Sequence, residues 1–285
     1  MSARGTISRS RALYKFGRNP LSLVGLFIVG AILAGALLAP WITPYPTHSG
    51  GFVNIVNAGK PPSAAHLFGT DTVGRDVLTR TIYAYRMSLL LAVVVLSITV
   101  PIGVGAGLIA GYFQGWRETI IMRVTDIFLS MPPLVLALAI MGLLKPTLVN
   151  AMMAVAAMWW PWYTRLAYNV TRQIATEGYV NAAEVIGASK WHILVREILP
   201  NCAPPILTKI ALDFGFVILI ASSLSFLGLG VQPPTPDLGS MVAEGARYLP
   251  DLWWLAIFPG LAVLVAVIGF NLLGDGVNDL LDIDR

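Results

Sequence analysis

Apolar positions along the 285 residues gather into six long stretches, at about 21–41, 87–112, 120–144, 148–163, 205–227 and 252–273, with polar residues confined to the segments between them. A membrane-spanning helix needs roughly 20 apolar residues, because each adds about 1.5 Å along an axis that must cross about 30 Å of hydrocarbon. The pattern therefore predicts an all-α polytopic membrane protein with six transmembrane helices. The fourth stretch is short, and Pro161 is expected to kink or end it, so a re-entrant segment fits it as well. The first stretch follows Arg4, Arg9, Arg11, Lys15 and Arg18. Ala34 and Ala36 offer small residues of the kind found at cleavage sites, but the apolar run exceeds the roughly 7–15 residues of a signal peptide, so an uncleaved anchor is expected.

Composition sharpens this. With 56% hydrophobic and 12% charged residues, the chain has half the charge of an ordinary soluble domain, which is about 25% charged. The net charge of +4 is spread over short inter-span clusters rather than one face, so nucleic acid is not an expected partner and membrane lipid is. A basic tail and six crossings put both termini in the cytoplasm. Arg117, Arg123, Arg165, Arg172, Lys190, Arg196, Lys209 and Arg285 then fall on the same side as the tail, against Lys60, Arg75, Arg80, Arg86, Lys145 and Arg247 outside. Arg75, Arg80 and Arg86 are the poor fit, three cations close together on the outer side.

Candidate chemistry is sparse. Cys202 is alone, so no intrachain disulfide is possible. His48, His66 and His192 lie far apart in sequence, without a metal-ligand or triad-like neighbourhood, and no glycine-rich loop ends in Gly-Lys-Ser or Gly-Lys-Thr. Neither a catalytic residue nor a metal site is expected. Asp126 and Asp213 lie near the inner ends of their stretches; Lys209 and Asp213, four apart, read as a neutralised pair, and the bare span centres disfavour ion coupling. Gly103, Gly105, Gly107 and Gly111 are spaced for close helix packing.

The segment at about 165–204 is the longest predicted inner loop and reads as two short helices. Tyr179, Ala182, Ala183 and Ile186 share one face of the first, and Gly187 suits its turn. Ser189 caps the second, in which Trp191, Leu194, Val195 and Ile198 repeat the spacing, and Pro200 is expected to close it. An amphipathic pair lying on the membrane fits the periodicity as well as a docking element; the small side chains favour docking. Ser222, Ser223 and Ser225 in the fifth stretch are candidates to line a path, or to bond helix backbone.

Asn181-Ala182-Ala183 with Glu184, Gly187 and Ile198-Leu199-Pro200 resembles the EAA loop of ABC importer permeases, with Asn181 where that family usually has Glu. The run from His66 to Arg80 (HLFGTDTVGRDVLTR), the segment 228–236 and the segment 271–276 resemble the C-type permease of dipeptide, oligopeptide and nickel importers, over about residue 13 to the C-terminus. Within the His66–Arg80 run, Gly69 and Gly74 allow tight turns and Asp71 or Asp76 can cap a following outer-surface helix with an apolar edge of Leu78, Ile82 and Tyr85, its charges forming a salt-bridged turn. The stiff segment from Gly228 to Asp251, with Pro233, Pro234, Pro236 and Pro250 before Trp253 and Trp254, is a platform for a solute-binding protein if the resemblance holds.

The resemblance implies a permease subunit forming half of a translocation path for peptides, or for nickel, glutathione or similar solutes. It implies a multi-pass protein of the bacterial inner membrane, paired with a second homologous permease, two ATPase subunits and a solute-binding protein. ATP and magnesium belong to the ATPases; this chain is expected to hold no cofactor and to be no enzyme. Its organisation is expected as a cytoplasmic tail (1–20), a first transmembrane helix (21–43), an outer loop (44–86) and a core permease domain (87–285). Within that core, Tyr179, Asn181, Ala182, Ala183, Glu184, Ile186, Gly187, Ile198, Leu199 and Pro200 form the coupling loop. A self-sufficient channel or secondary transporter, and a structural membrane scaffold, are the rival classes, and neither needs a docking helix.

Overall fold

The computed structural model describes residues 17–281, so Arg4, Arg9, Arg11 and Lys15 of the basic tail and the C-terminal Arg285 lie outside the described residues. The elements are all helical: α1 Pro20–Ile42, α2 Val77–Phe113, α3 Gly115–Leu129, α4 Pro133–Gly142, α5 Leu148–Ile174, α6 Gly178–Val185, α7 Lys190–Phe226, α8 Leu238–Ala246 and α9 Trp254–Leu281. Among the described residues no strand forms, only an isolated bridge between Thr70 and Asp76.

Four helices, α1, α2, α7 and α9, are long and apolar enough to cross a membrane. The third predicted span is broken: α3 and α4 meet at 87° and pass as one span only when taken together. Its cause is local, since Pro132 removes a backbone donor just before α4 and Pro133 begins it. The fourth stretch runs through Pro161 without ending and continues to Ile174. Ala151, Val155, Trp159, Tyr163 and Ala167, four apart, form its buried stripe.

Glycine decides how closely the central helices approach. A Cβ on Gly103 would lie 2.5 Å from the Trp160 carbonyl oxygen, one on Gly107 2.5 Å from that of Thr164, and one on Gly111 2.8 Å from Thr171 Cβ, so α2 and α5 approach closely along about two turns. Gly105 faces open space and takes no part. The anchor helix α1 packs the same way on α9: a Cβ on Gly25 would come within 2.6 Å of Leu273 N, and Asn19 Nδ2 donates to Asp279 Oδ2 at 3.0 Å. The opposite faces of both helices leave Phe27, Leu37, Leu261 and Leu264 exposed, as suits contact with lipid.

Two boundaries differ from expectation. The segment after Arg75 forms no separate surface helix; Asp76 caps Val77, and α2 then runs unbroken for 37 residues. At about 1.5 Å per residue it is roughly 55 Å long, well beyond the hydrocarbon thickness, so both its ends project. Its buried edge at this end is Val77, Thr81, Ala84 and Ser88, while Leu78, Ile82 and Tyr85 are half-buried. At the other boundary Pro200 does not close a helix. Residues Ile193–Ile198 wind as π-helix, and α7 passes through Pro200, Pro204 and Pro205 into the apolar stretch. The wider turn makes room for the ring that an α-turn would clash with. The inner loop is therefore only 175–189, much shorter than 165–204, because its flanks belong to α5 and α7.

Candidate functional site

The segment predicted as a coupling loop is a single short helix, α6, held against the Phe113 end of α2 and the first turns of α7. Gly187 has φ +85°, Gly187 N–H donates to Glu184 O at 3.0 Å, and Ala188 N–H donates to Ala183 O at 3.0 Å, the paired bonds of a Schellman C-cap. Two residues later Ser189 Oγ accepts from His192 N at 3.3 Å and starts α7. The chain thus turns sharply and both helix ends are satisfied without further support.

One apolar residue of α6, Val180, is fully buried and joins Ile193, Leu194 and Ile198 in the main core. Polar contacts complete the attachment. Tyr112 Oη donates to Glu184 Oε1 at 2.7 Å, and Asn201 Nδ2 donates to Tyr179 Oη at 3.2 Å and to Glu197 O at 2.6 Å. Trp191 meets the edge of Phe113 with ring centroids 6.2 Å apart, and Arg117 lies 4.8 Å from the Phe113 centroid. Burial, with Glu177 and Glu197 close by, pushes the Tyr179 phenol above its usual range and keeps it neutral.

Of the predicted residues, Asn181, Ala182, Ile186 and Gly187 are exposed together, with Val185 beside them; Ile186 is 83% and Val185 88% accessible. Ala183 and Leu199 are half-buried, Ile198 is fully buried and Pro200 is exposed within α7. The predicted set therefore divides into an outward face and a set of anchors. Asn181, in the position of the family's usual Glu, points outward, whereas Glu184 is engaged with α2. Tyr112, Phe113 and Asn201 belong to the site and were not picked out from the sequence. Aromatic residues at the polar end of a long apolar run were the available signal.

The three serines separate. Ser222 and Ser225 are buried where α7 meets the outer segment: a Cβ on Gly239 would lie 2.0 Å from Ser222 O, and one on Gly230 1.8 Å from Ser225 Oγ. Ser223 is half-exposed, and its hydroxyl donates to Leu219 O at 2.9 Å.

In the segment leading into α2, two of the three cations that fit poorly by charge counting, Arg75 and Arg80, are explained by packing, whereas Arg86 is exposed beside the Tyr83 ring. Arg75 Nε donates to Asp71 Oδ2 at 2.7 Å, Arg80 Nε lies 3.6 Å from the same oxygen, and all three side chains are buried. Two of the three histidines, His48 and His66, also come together, whereas His192 is exposed at the start of α7. Asp76 accepts from Thr79 N at 2.8 Å as the α2 cap, His66 Nδ1 lies 2.9 Å from Asp76 Oδ1, and Asp76 N–H donates to His48 Nδ1 at 2.9 Å. Tyr45 and Phe52 stack against His48. These groups form a structural cap over the Asp76 end of α2.

Comparison with known proteins agrees in extent. The family described as "Binding-protein-dependent transport system inner membrane component" matches residues 103–284, and the "N-terminal TM domain of oligopeptide transport permease C" matches residues 9–62. A probable D,D-dipeptide transport system permease protein of Escherichia coli is 42% identical over 264 residues, covering 93% of this chain and 88% of its own. The dipeptide transport system permease protein of the same organism is 42% identical over 274 residues, covering 94% and 90%. Among solved structures, inward-facing MetNI methionine ABC transporter matches with a TM-score of 0.61 at 15% identity, over 72% of this chain and 97% of that one, a likeness of fold.

Proposed function

Because this chain belongs to the family of binding-protein-dependent transport system inner membrane components, we propose that it works as one of two permease subunits in an ATP-driven importer of peptides. It spans the membrane six times, α3–α4 and α5 supplying the two crossings beyond the four most apolar helices, with both termini in the cytoplasm of a bacterial cell. A second, homologous permease completes the path. Two ATPase subunits bind ATP and magnesium beneath it, and a solute-binding protein delivers substrate from above. The dipeptide names of the relatives support peptides over nickel or glutathione.

The observation that carries this reading is the outward face of α6. Asn181, Ala182, Val185 and Ile186 stand clear of the membrane helices on a helix that is rigidly capped and pinned to α2 and α7. Small side chains let a groove close on the helix backbone, and Val185 with Ile186 supplies apolar surface that a partner would cover. Movement of that groove on ATP binding would be passed to α2 through Tyr112 and Glu184 and to α7 through the buried Val180. The ATPases must bind the two permease states with different affinity for this to switch the path. Of the three serines only Ser223 is assigned to the path, because Ser222 and Ser225 are buried.

Ala182→Arg tests the assignment, since Ala182 is exposed and its replacement leaves the core untouched. In the reconstituted complex the variant should lose binding-protein-stimulated ATP hydrolysis and uptake while the permease pair still forms. Unchanged hydrolysis and uptake would return α6 to the role of a surface helix.

A further inference from the structure

A second polar site lies on the inner half of the molecule, between α3 and α5. Glu118, Thr119, Met122, Arg123, Asp126, Arg165 and Tyr168 line a cleft of about 310 Å³, large enough for a small solute. Its charges are almost all matched. Arg165 pairs with Asp126, Tyr168 donates to Glu118, and Arg172 Nη1 donates to Tyr168 Oη at 2.7 Å and to Glu118 Oε1 at 3.3 Å. Arg123 is left over: it is exposed to the cleft and has no carboxylate partner among the described residues.

The remaining faces of α3 show where that cation points. Ile120, Val124 and Ile127 make an exposed apolar stripe on another side, suited to lipid or to an apolar partner. Only Met122 and Thr125 of α3 are buried, and the polar ties and an edge contact between Phe128 and Trp160 join it to α5. At about 1.5 Å per residue, Arg123 lies roughly 12 Å along α3 from Gly115. An uncompensated guanidinium on a membrane helix is costly against hydrocarbon and is tolerated where it meets water or an anion. Guanidinium also matches a carboxylate through two parallel N–H donors.

From this geometry we infer that the cleft is a station on the solute path and that Arg123 receives the solute's carboxylate there. The inference rests on the permease reading and adds a specificity-determining residue to it. Glu118 and Asp126 stay paired with their arginines and keep the cleft from attracting carboxylate everywhere, so that recognition falls on Arg123.

The test uses the assembled permease–ATPase complex without nucleotide or binding protein, with the partner subunits made cysteine-free. Native Cys202 is fully buried and gives little background. A Thr119→Cys substitution places a thiol at the cleft, and its rate of reaction with a membrane-impermeant thiol reagent is followed. Alanyl-alanine should slow labelling at least threefold, alanyl-alaninamide should not, and adding Arg123→Gln should abolish the protection, with Arg123→Lys restoring part of it. An unreactive thiol would show that the cleft is covered, and protection that survives in Arg123→Gln, or is equal with the amide, would show that no carboxylate is recognised; each overturns the proposal. These outcomes leave the permease reading intact. Absence of ATP-driven uptake by the complete unlabelled complex would instead overturn that reading, and the station with it.

Discussion

The hydroxyl of Tyr112, at the inner end of α2, donates to the Glu184 carboxylate on α6 at 2.7 Å. Seventy-two positions separate the two in sequence, and their bond ties a helix long and apolar enough to cross a membrane to the short, largely exposed α6. The contact is exposed, so its worth is about 1 kcal/mol, enough to bias a two-state element without holding the fold together.

Tyr112→Phe should therefore leave expression and assembly intact and loosen the link between hydrolysis and transport. Uptake per ATP hydrolysed is expected to fall severalfold in proteoliposomes. An unchanged ratio would show that α6 transmits its motion through Val180 and α7 alone.

Gly107 and Gly105 make a matched pair two residues apart. A side chain on Gly107 meets the Thr164 carbonyl oxygen at 2.5 Å and Ala167 Cβ at 2.7 Å, whereas one on Gly105 meets nothing within 4 Å. Gly107→Val should cost at least about 1–3 kcal/mol through overpacking and lower the yield of folded protein, while Gly105→Val should have a much smaller effect. Thermal unfolding followed by size-exclusion in detergent compares the two, and equal losses would contradict the α2–α5 contact.

Asp71 holds two buried arginines at once. Asp71→Asn would leave Arg75 and Arg80 without their carboxylate, and breaking a buried pair in this way costs about 3–5 kcal/mol. The expected result is early proteolytic cleavage of the outer segment between α1 and α2, with the inner loop no more accessible than before. Wild-type resistance to cleavage would mean that the arginines find other partners.

The outer cap should respond to acid through His48. Burial lowers its pKa from the ordinary 6.5, and its Nδ1 must be unprotonated to accept the Asp76 N–H. Asp76 and Asp71 favour the charged form, and His66 and Arg75 oppose it. Because the folded pKa is depressed, the contribution is complete above about pH 6.5 and is lost as pH falls toward the folded value, where the unfolded segment binds more protons. The protection factor of the Asp76 amide, its exchange corrected for the intrinsic pH dependence, should fall as pH drops below about 6.5, and His48→Gln should flatten that dependence. Exchange that tracks pH identically in both proteins would rule out His48 as the cause.

The sequence by itself determined that this is an all-helical membrane protein, where its most apolar stretches lie, and that a small-residue helix ending at Gly187 sits on a polar segment. Those properties follow from local periods: runs of apolar residues, i, i+3 and i+4 spacing, and a backbone turn that glycine takes more easily than any other residue. Tertiary structure decided what local spacing cannot carry. It joined His48 and His66 at Asp76, sent α7 through Pro200 by widening one turn, and bent the third stretch at Pro132–Pro133. It also divided the loop residues into an exposed face and an anchor, because burial is set by which distant helices arrive at a surface. Charge counting saw Arg75, Arg80 and Asp71 as separate residues. Only packing made them one ion-paired cluster, since a pair formed across a folded turn depends on distance in space rather than along the chain.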